Sequence, residues 1–135
     1  MTIAITGATG QLGRLALAAV QARAPEATIV ALARNPAADL GVPVRAFDYT
    51  KAETLAPALA GIKTLVLISS NDFNDRAGQH RAVIDACAAH DVVIEINANP
   101  WRLDLDWRWV NYAMEKGVKL SINTDAHEME GYADM

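Results

Sequence analysis

The chain has 135 residues, of which 52% are hydrophobic and 21% charged, with a formal net charge of −4. That mixture is enough to bury one core and argues against a disordered chain. The mild acidity argues against broad binding to nucleic acid or an anionic membrane, and no apolar run approaches the ~20 residues of a membrane span. The first residues lack the basic stretch of a secretory signal. A single cysteine, Cys87, cannot form an internal disulfide and suits a reducing, cytoplasmic setting.

Taken in order, Thr2–Thr6 is a short apolar strand ending in a glycine-rich turn. Leu12, Leu15, Ala16, Ala19 and Val20 then recur at helical spacing, which predicts a helix with these residues on its inward face. Thr28–Ala33 reads as the second strand, and Val42–Phe47 as a weaker extended piece that is not counted as one. Thr50 and Glu53 form a T-x-x-E capping box, predicting a helix from there to about Gly61 that is kinked or weakened at Pro57. Thr64–Ile68 is almost wholly apolar, as in a strand covered on both faces.

A longer helix follows from about Asp75 to His90, with Val83, Ile84, Cys87 and Ala88 inward. Val92–Asn97 is another strand. A helix from Leu105 to Lys116 has Asp104 or Asp106 as N-cap, Gly117 as the residue after its end, and Trp109, Val110, Ala113 and Met114 inward. Val118–Asn123 is the last strand. Such alternation implies a parallel α/β sheet with right-handed crossovers.

Gly7-Ala8-Thr9-Gly10-Gln11-Leu12-Gly13 joins the first strand to the first helix. In that setting Gly7 permits the tight turn, Gly10 lets a pyrophosphate approach the backbone, and Gly13 allows close helix–sheet packing. The helix N-terminus offers unpaired N–H groups to an anion. An ordinary glycine turn is the alternative. Arg34 closes the second strand where an NAD-specific domain carries an acidic residue, and its guanidinium suits a 2′-phosphate, hence NADP; a solvated arginine is the alternative. Asp48 and Tyr49 either flank an adenine ring or form a plain turn.

On ITGATGQLG (5–13), ALARNP (31–36), FDYTKAETLAPALAGI (47–62), LVLISS (65–70) and Gln79-His80-Arg81, residues 1 to about 88 resemble the NmrA-like NADPH:quinone-oxidoreductase branch of the atypical short-chain dehydrogenases. The resemblance implies a Rossmann-like fold. It also implies NADP binding by Thr9, Gly10, Gln11, Leu12 and Arg34, with the Ile68-Ser69-Ser70 edge near the second ribose. Gly7, Thr9, Gly10, Gln11, Leu12, Gly13, Arg34 and Ser69 are therefore the expected cofactor residues. No Tyr-x-x-x-Lys pair is present, so no catalytic residue is assigned.

The last third differs in character. Residues 1–90 carry eight basic and seven acidic side chains, whereas 91–135 carry four and nine, together with all three tryptophans. EINANPWRLDLDWRWVNYAMEKGVKLSINTDAHEMEGYADM (95–135) resembles the end of the polymerase-and-histidinol-phosphatase (PHP) domain of family X DNA polymerases. The resemblance maps two metal ligands of that domain onto Asp125 and His127. A carboxylate and an imidazole two residues apart are too few for a stable zinc or manganese site, for which His80, His90, Glu95 and Asn97 are the only other candidates by chain position. A polar loop without metal is the alternative.

The expectation is one domain with a five-stranded doubly wound sheet, order 3-2-1-4-5, in three αβα layers. Residues 1–88 form its dinucleotide-binding half and 89–135 a grafted βαβ unit. The chain then reads as a man-made chimera, a scaffold without a selected reaction that retains weak NADP binding. An NADPH-dependent quinone oxidoreductase is the first alternative and a metal-dependent phosphoesterase the second. The expected partners are a dinucleotide at most, with neither nucleic acid nor membrane, and the chain a monomer or weak homodimer.

Overall fold

The computed structural model describes residues 1–68, 75–97, 105 and 107–123. Six strands run through it: β1 (Thr2–Ile5), β2 (Thr28–Ala33), β3 (Val44–Ala46), β4 (Thr64–Val66), β5 (Val93–Asn97) and β6 (Leu120–Asn123). They form one parallel sheet in the order β3-β2-β1-β4-β5-β6. The α/β class and the doubly wound parallel sheet hold, with one strand more than expected, which takes the edge beside β2 and leaves Thr64–Val66 beside β1. The extra strand is the uncounted extended piece: Ala31, Leu32 and Ala33 of β2 align with Val44, Arg45 and Ala46. Three residues at a sheet edge carry too little alternation to announce themselves.

Among the described residues four α-helices connect the strands: α1 (Gln11–Arg23), α2 (Leu55–Ala58), α3 (Arg76–His90) and α4 (Val110–Glu115). Because side chains alternate across a strand, Ala4 and Ile5 of β1 enter different cores. Ala4, Val30, Leu32, Leu65 and Ile94 pack with Leu55 of α2 and Leu59 just after it, Val83, Ile84 and Cys87 of α3, and Ala113 of α4. Ile5 and Ile29 pack on the opposite face with Leu17, Ala16 and Val20 of α1. Among the described residues the sheet is thus covered on one side by α2, α3 and α4 and on the other by α1.

Helix α3 starts as expected: the Asp75 carboxylate accepts from the Gly78 N–H at 3.3 Å, and Val83, Ile84 and Cys87 are fully buried. Gly117 at φ 77° follows α4, in the left-handed conformation proper to the residue after a helix.

Three local expectations fail. The Thr50–Glu53 box does not form; Thr50 instead donates its hydroxyl to Asp48 Oδ1 at 2.7 Å. The helix begins only after a 3-10 turn at Ala52–Thr54, which puts Pro57 in the first turn of α2, where a missing N–H costs nothing. On α1 Gly13 and Leu17 are buried and Ala16 and Val20 half-buried, leaving Ala19 exposed and Leu12 and Leu15 54% and 64% exposed. On α4 the inward residues are Trp109, Val110 and Ala113, while Met114 faces solvent. Asp104 and Asp106, the expected caps, lie outside the described residues. No helix among the described residues is long and apolar enough to cross a membrane.

Candidate functional site

The carboxyl ends of β1 and β4 open a crevice where the sheet order reverses, since β1 is followed by β2 on one side and β4 on the other. The glycine turn occupies the β1 side. Gly7 takes φ 59°, and its carbonyl accepts from the Gly10 N–H at 2.9 Å, which closes the turn. A Cβ on Gly13 would stand 2.7 Å from Ala8 Cα, closer than real contacts allow. Glycine is thus required at 13 for α1 to seat against the turn, as the spacing predicts.

Ala8 is buried and anchored by its N–H to the Leu32 carbonyl at 3.4 Å, whereas Thr9, Gly10, Gln11 and Leu12 are exposed. Gly10 caps α1 in an extended conformation (φ −75°, ψ 170°) with no side-chain cap, and the first turn carries no acidic residue. The donors of the first turn thus face outward with no carboxylate competing for them. Arg14 was not singled out from the sequence; its Nε donates to the Thr9 carbonyl at 3.2 Å and adds positive charge beside the turn.

Arg34 stands exposed at the end of β2. Nearby, the Asp48 carboxyl is held below its usual value by hydrogen bonds from the Thr50 hydroxyl and N–H, helped by the charges of Lys51 and Arg34 and opposed by burial. Tyr49 does not lie open for stacking on an adenine. Its hydroxyl donates to the Ile68 carbonyl at 2.7 Å, its ring meets Phe47 edge-on at 5.4 Å, and burial pushes its pKa up to about 12. Thr6 is a second residue the sequence did not disclose. It is fully buried, and its Oγ1 accepts from the Ile68 N–H at 2.6 Å.

Ser69, Asp125 and His127 lie outside the described residues. His80 is buried on α3. Among the described residues no three His, Cys, Asp or Glu side chains gather to hold a metal.

Residues 7–98 match the NAD(P)H-binding family. Quinone oxidoreductase 2 of Escherichia coli (strain K12) is 46% identical over 95 residues, which is 67% of this chain and 33% of that protein. The NADPH-dependent quinone oxidoreductase of Escherichia coli, solved with NADPH, superimposes with a TM-score of 0.72 at 35% identity over 89% of this chain and 47% of its own. Triphenylmethane reductase of Citrobacter sp., solved with NADP(H), gives 0.76 at 31% identity over 90% of this chain and 48% of its own. The chain thus spans between a third and a half of the length of the relatives it matches.

These relatives overturn the expectation of a designed scaffold without a reaction. They are named as enzymes, and the structural likeness covers about nine-tenths of the chain, so it runs past residue 88 and through the supposed graft. The likeness to the DNA polymerase/3′-5′ exonuclease PolX of Bacillus subtilis is 45% identity over 53 residues, 9% of that protein. So short a match does not establish a chimera.

Proposed function

The chain belongs to the NAD(P)H-binding family, and from that premise we propose that it holds NADPH as the cofactor part of an NADPH-dependent quinone oxidoreductase. The observation that carries this reading is the glycine turn, with Gly7 at φ 59° and Gly13 admitting no side chain beneath an uncapped α1. This cradle fits a pyrophosphate, because outward N–H groups and the positive helix end favour an anion that can approach the bare backbone closely.

Thr9, Gly10, Gln11 and Leu12 then contact the pyrophosphate and its flanking riboses, on a turn that Gly7 and Gly13 shape. Arg34 pairs with the 2′-phosphate, and the family resemblance adds Ser69 as the expected residue for the second ribose. When bound, NADPH supplies a hydride from its nicotinamide ring. The contribution of this chain is to bind the dinucleotide, fix its orientation along the crevice and select the phosphorylated form. Among the described residues no catalytic acid is assigned.

Titrating NADPH by its own fluorescence tests the binding, and NADPH oxidation in the presence of a small quinone tests the reaction. Saturable binding that disappears in Gly10→Asp, together with quinone-dependent oxidation above a protein-free blank, is the expected result. Identical titration curves for the two proteins would overturn the site.

A further inference from the structure

Past Val66, the residue aligned with Ile5 in the last β1–β4 pair, the sheet ladder stops, yet Ile68 remains fixed. Two side chains replace the missing backbone partners. Thr6 Oγ1 accepts from the Ile68 N–H at 2.6 Å, and Tyr49, arriving from the loop after β3, donates its hydroxyl to the Ile68 carbonyl at 2.7 Å. The Thr6 hydroxyl also lies 3.3 Å from the Val66 carbonyl and 3.2 Å from that of Ile68. The single Thr6 proton serves one of these two carbonyls at a time, and the second lone pair of the Ile68 carbonyl lets it accept from Thr6 as well as from Tyr49.

Ile68 faces the glycine turn directly, since a Cβ on Gly7 would lie 3.6 Å from both Ile68 Cβ and Cγ2. The distance between these two residues sets the width of the crevice floor. Arg34, at the end of β2, assigns the adenosine end of a dinucleotide to the β2 side. The nicotinamide end therefore lies on the β4 side, over Ile68.

We propose that Tyr49 and Thr6 are a positioning pair that holds Ile68 as the β4 wall of the dinucleotide crevice and so orients the nicotinamide half without touching it. This rests on the NADPH reading above. The hydroxyl of Tyr49 suits the task because its side chain is largely withdrawn from water, so solvent competes little for its hydrogen bond to Ile68.

The experiment compares NADPH with adenosine 2′,5′-bisphosphate, which carries the adenosine with its 2′- and 5′-phosphates but no nicotinamide half, on the wild-type chain, Tyr49→Phe, Thr6→Val and Thr6→Ser. One lost hydrogen bond at the wall is expected to weaken NADPH about three- to tenfold in Tyr49→Phe while leaving the bisphosphate unchanged. Thr6→Val should behave likewise, and Thr6→Ser, which keeps the hydroxyl, should restore NADPH affinity. Should Tyr49→Phe fail to fold, the Thr6 pair gives the same comparison.

Equal binding of NADPH by the wild type and both hydroxyl-deficient variants would overturn the positioning role and leave the NADPH site standing. Parallel weakening of both ligands would also overturn it, reducing the pair to general support of the fold. Failure of the wild type to bind either ligand would overturn the site reading itself.

Discussion

Tyr112 on α4 donates its hydroxyl to Asp85 Oδ1 on α3 at 2.6 Å, one of several contacts that dock α4 onto α3. Arg81 and Lys116 flank the same ring, at 4.9 and 5.3 Å from its centroid, and Lys116 Nζ lies 3.3 Å from Asp85. Hydrogen bonds from Tyr112 and Lys116, with the nearby cationic charges, outweigh the opposing effect of burial and keep the Asp85 carboxyl below its ordinary value. A depressed carboxylate stabilises the fold above its unfolded pKa of 3.8 and loses that contribution as pH falls through the folded value.

Asp85→Asn is therefore expected to lower stability at neutral pH by about 0.2–1 kcal/mol, as befits a solvent-facing pair. The gap from the wild type should close once the solution is acidified below the folded pKa. Urea unfolding at pH 7 and in strong acid measures both. A gap of the same size at both pH values would exclude the carboxylate as its source.

Replacing Gly13 tests the seat of α1. Alanine there brings a Cβ against Ala8 Cα and forces α1 outward. The expected cost is about 1–3 kcal/mol, the usual range for an overpacked contact. NADPH binding should fall with it, because the same displacement carries the first-turn donors away from the turn. Thermal unfolding and an NADPH titration on one preparation read the two effects.

Arg34→Ala separates the two nicotinamide cofactors. A charge-assisted hydrogen bond to a phosphate contributes about 1.5–3 kcal/mol, so NADPH affinity should drop about 10- to 100-fold with NADH nearly unchanged. Parallel titrations with the two cofactors decide it. Equal losses for both would remove Arg34 from phosphate recognition.

Two buried groups predict an alkaline limit. Burial pushes the Cys87 thiol from 9.0 up to about 12, and the Tyr49 phenol from 10.0 to about 12. Groups with raised folded values give their full stabilisation below their unfolded pKa and lose it as pH rises toward the folded one. Stability should therefore decline between pH 9 and 12, and less steeply in Cys87→Ala. Native Cys87 should also resist iodoacetamide at pH 8 and react once urea unfolds the chain, which mass spectrometry records.

The parallel α/β class and the turn that marks the candidate site were legible in the residues because their physical causes are local. Gly7, Gly10 and Gly13 report backbone conformations and clearances that hold within one turn, and Asp75 with Gly78 announces the start of α3 at short range. The end of β2 placed Arg34 by the same local logic.

What the tertiary structure decided were relations among distant segments. An apolar helix face wider than its contact can be rotated in more than one way. Gly13 against the Gly7–Ala8 turn selects the rotation that buries Leu17, packs Ala16 and Val20 beside it and turns Leu12 and Leu15 outward. Val44–Ala46 becomes a strand only because β2 offers it an open edge. Tyr49 and Thr6 meet at Ile68 although 19 and 62 residues separate them from it, and spacing along a chain carries no signal of a contact made by packing.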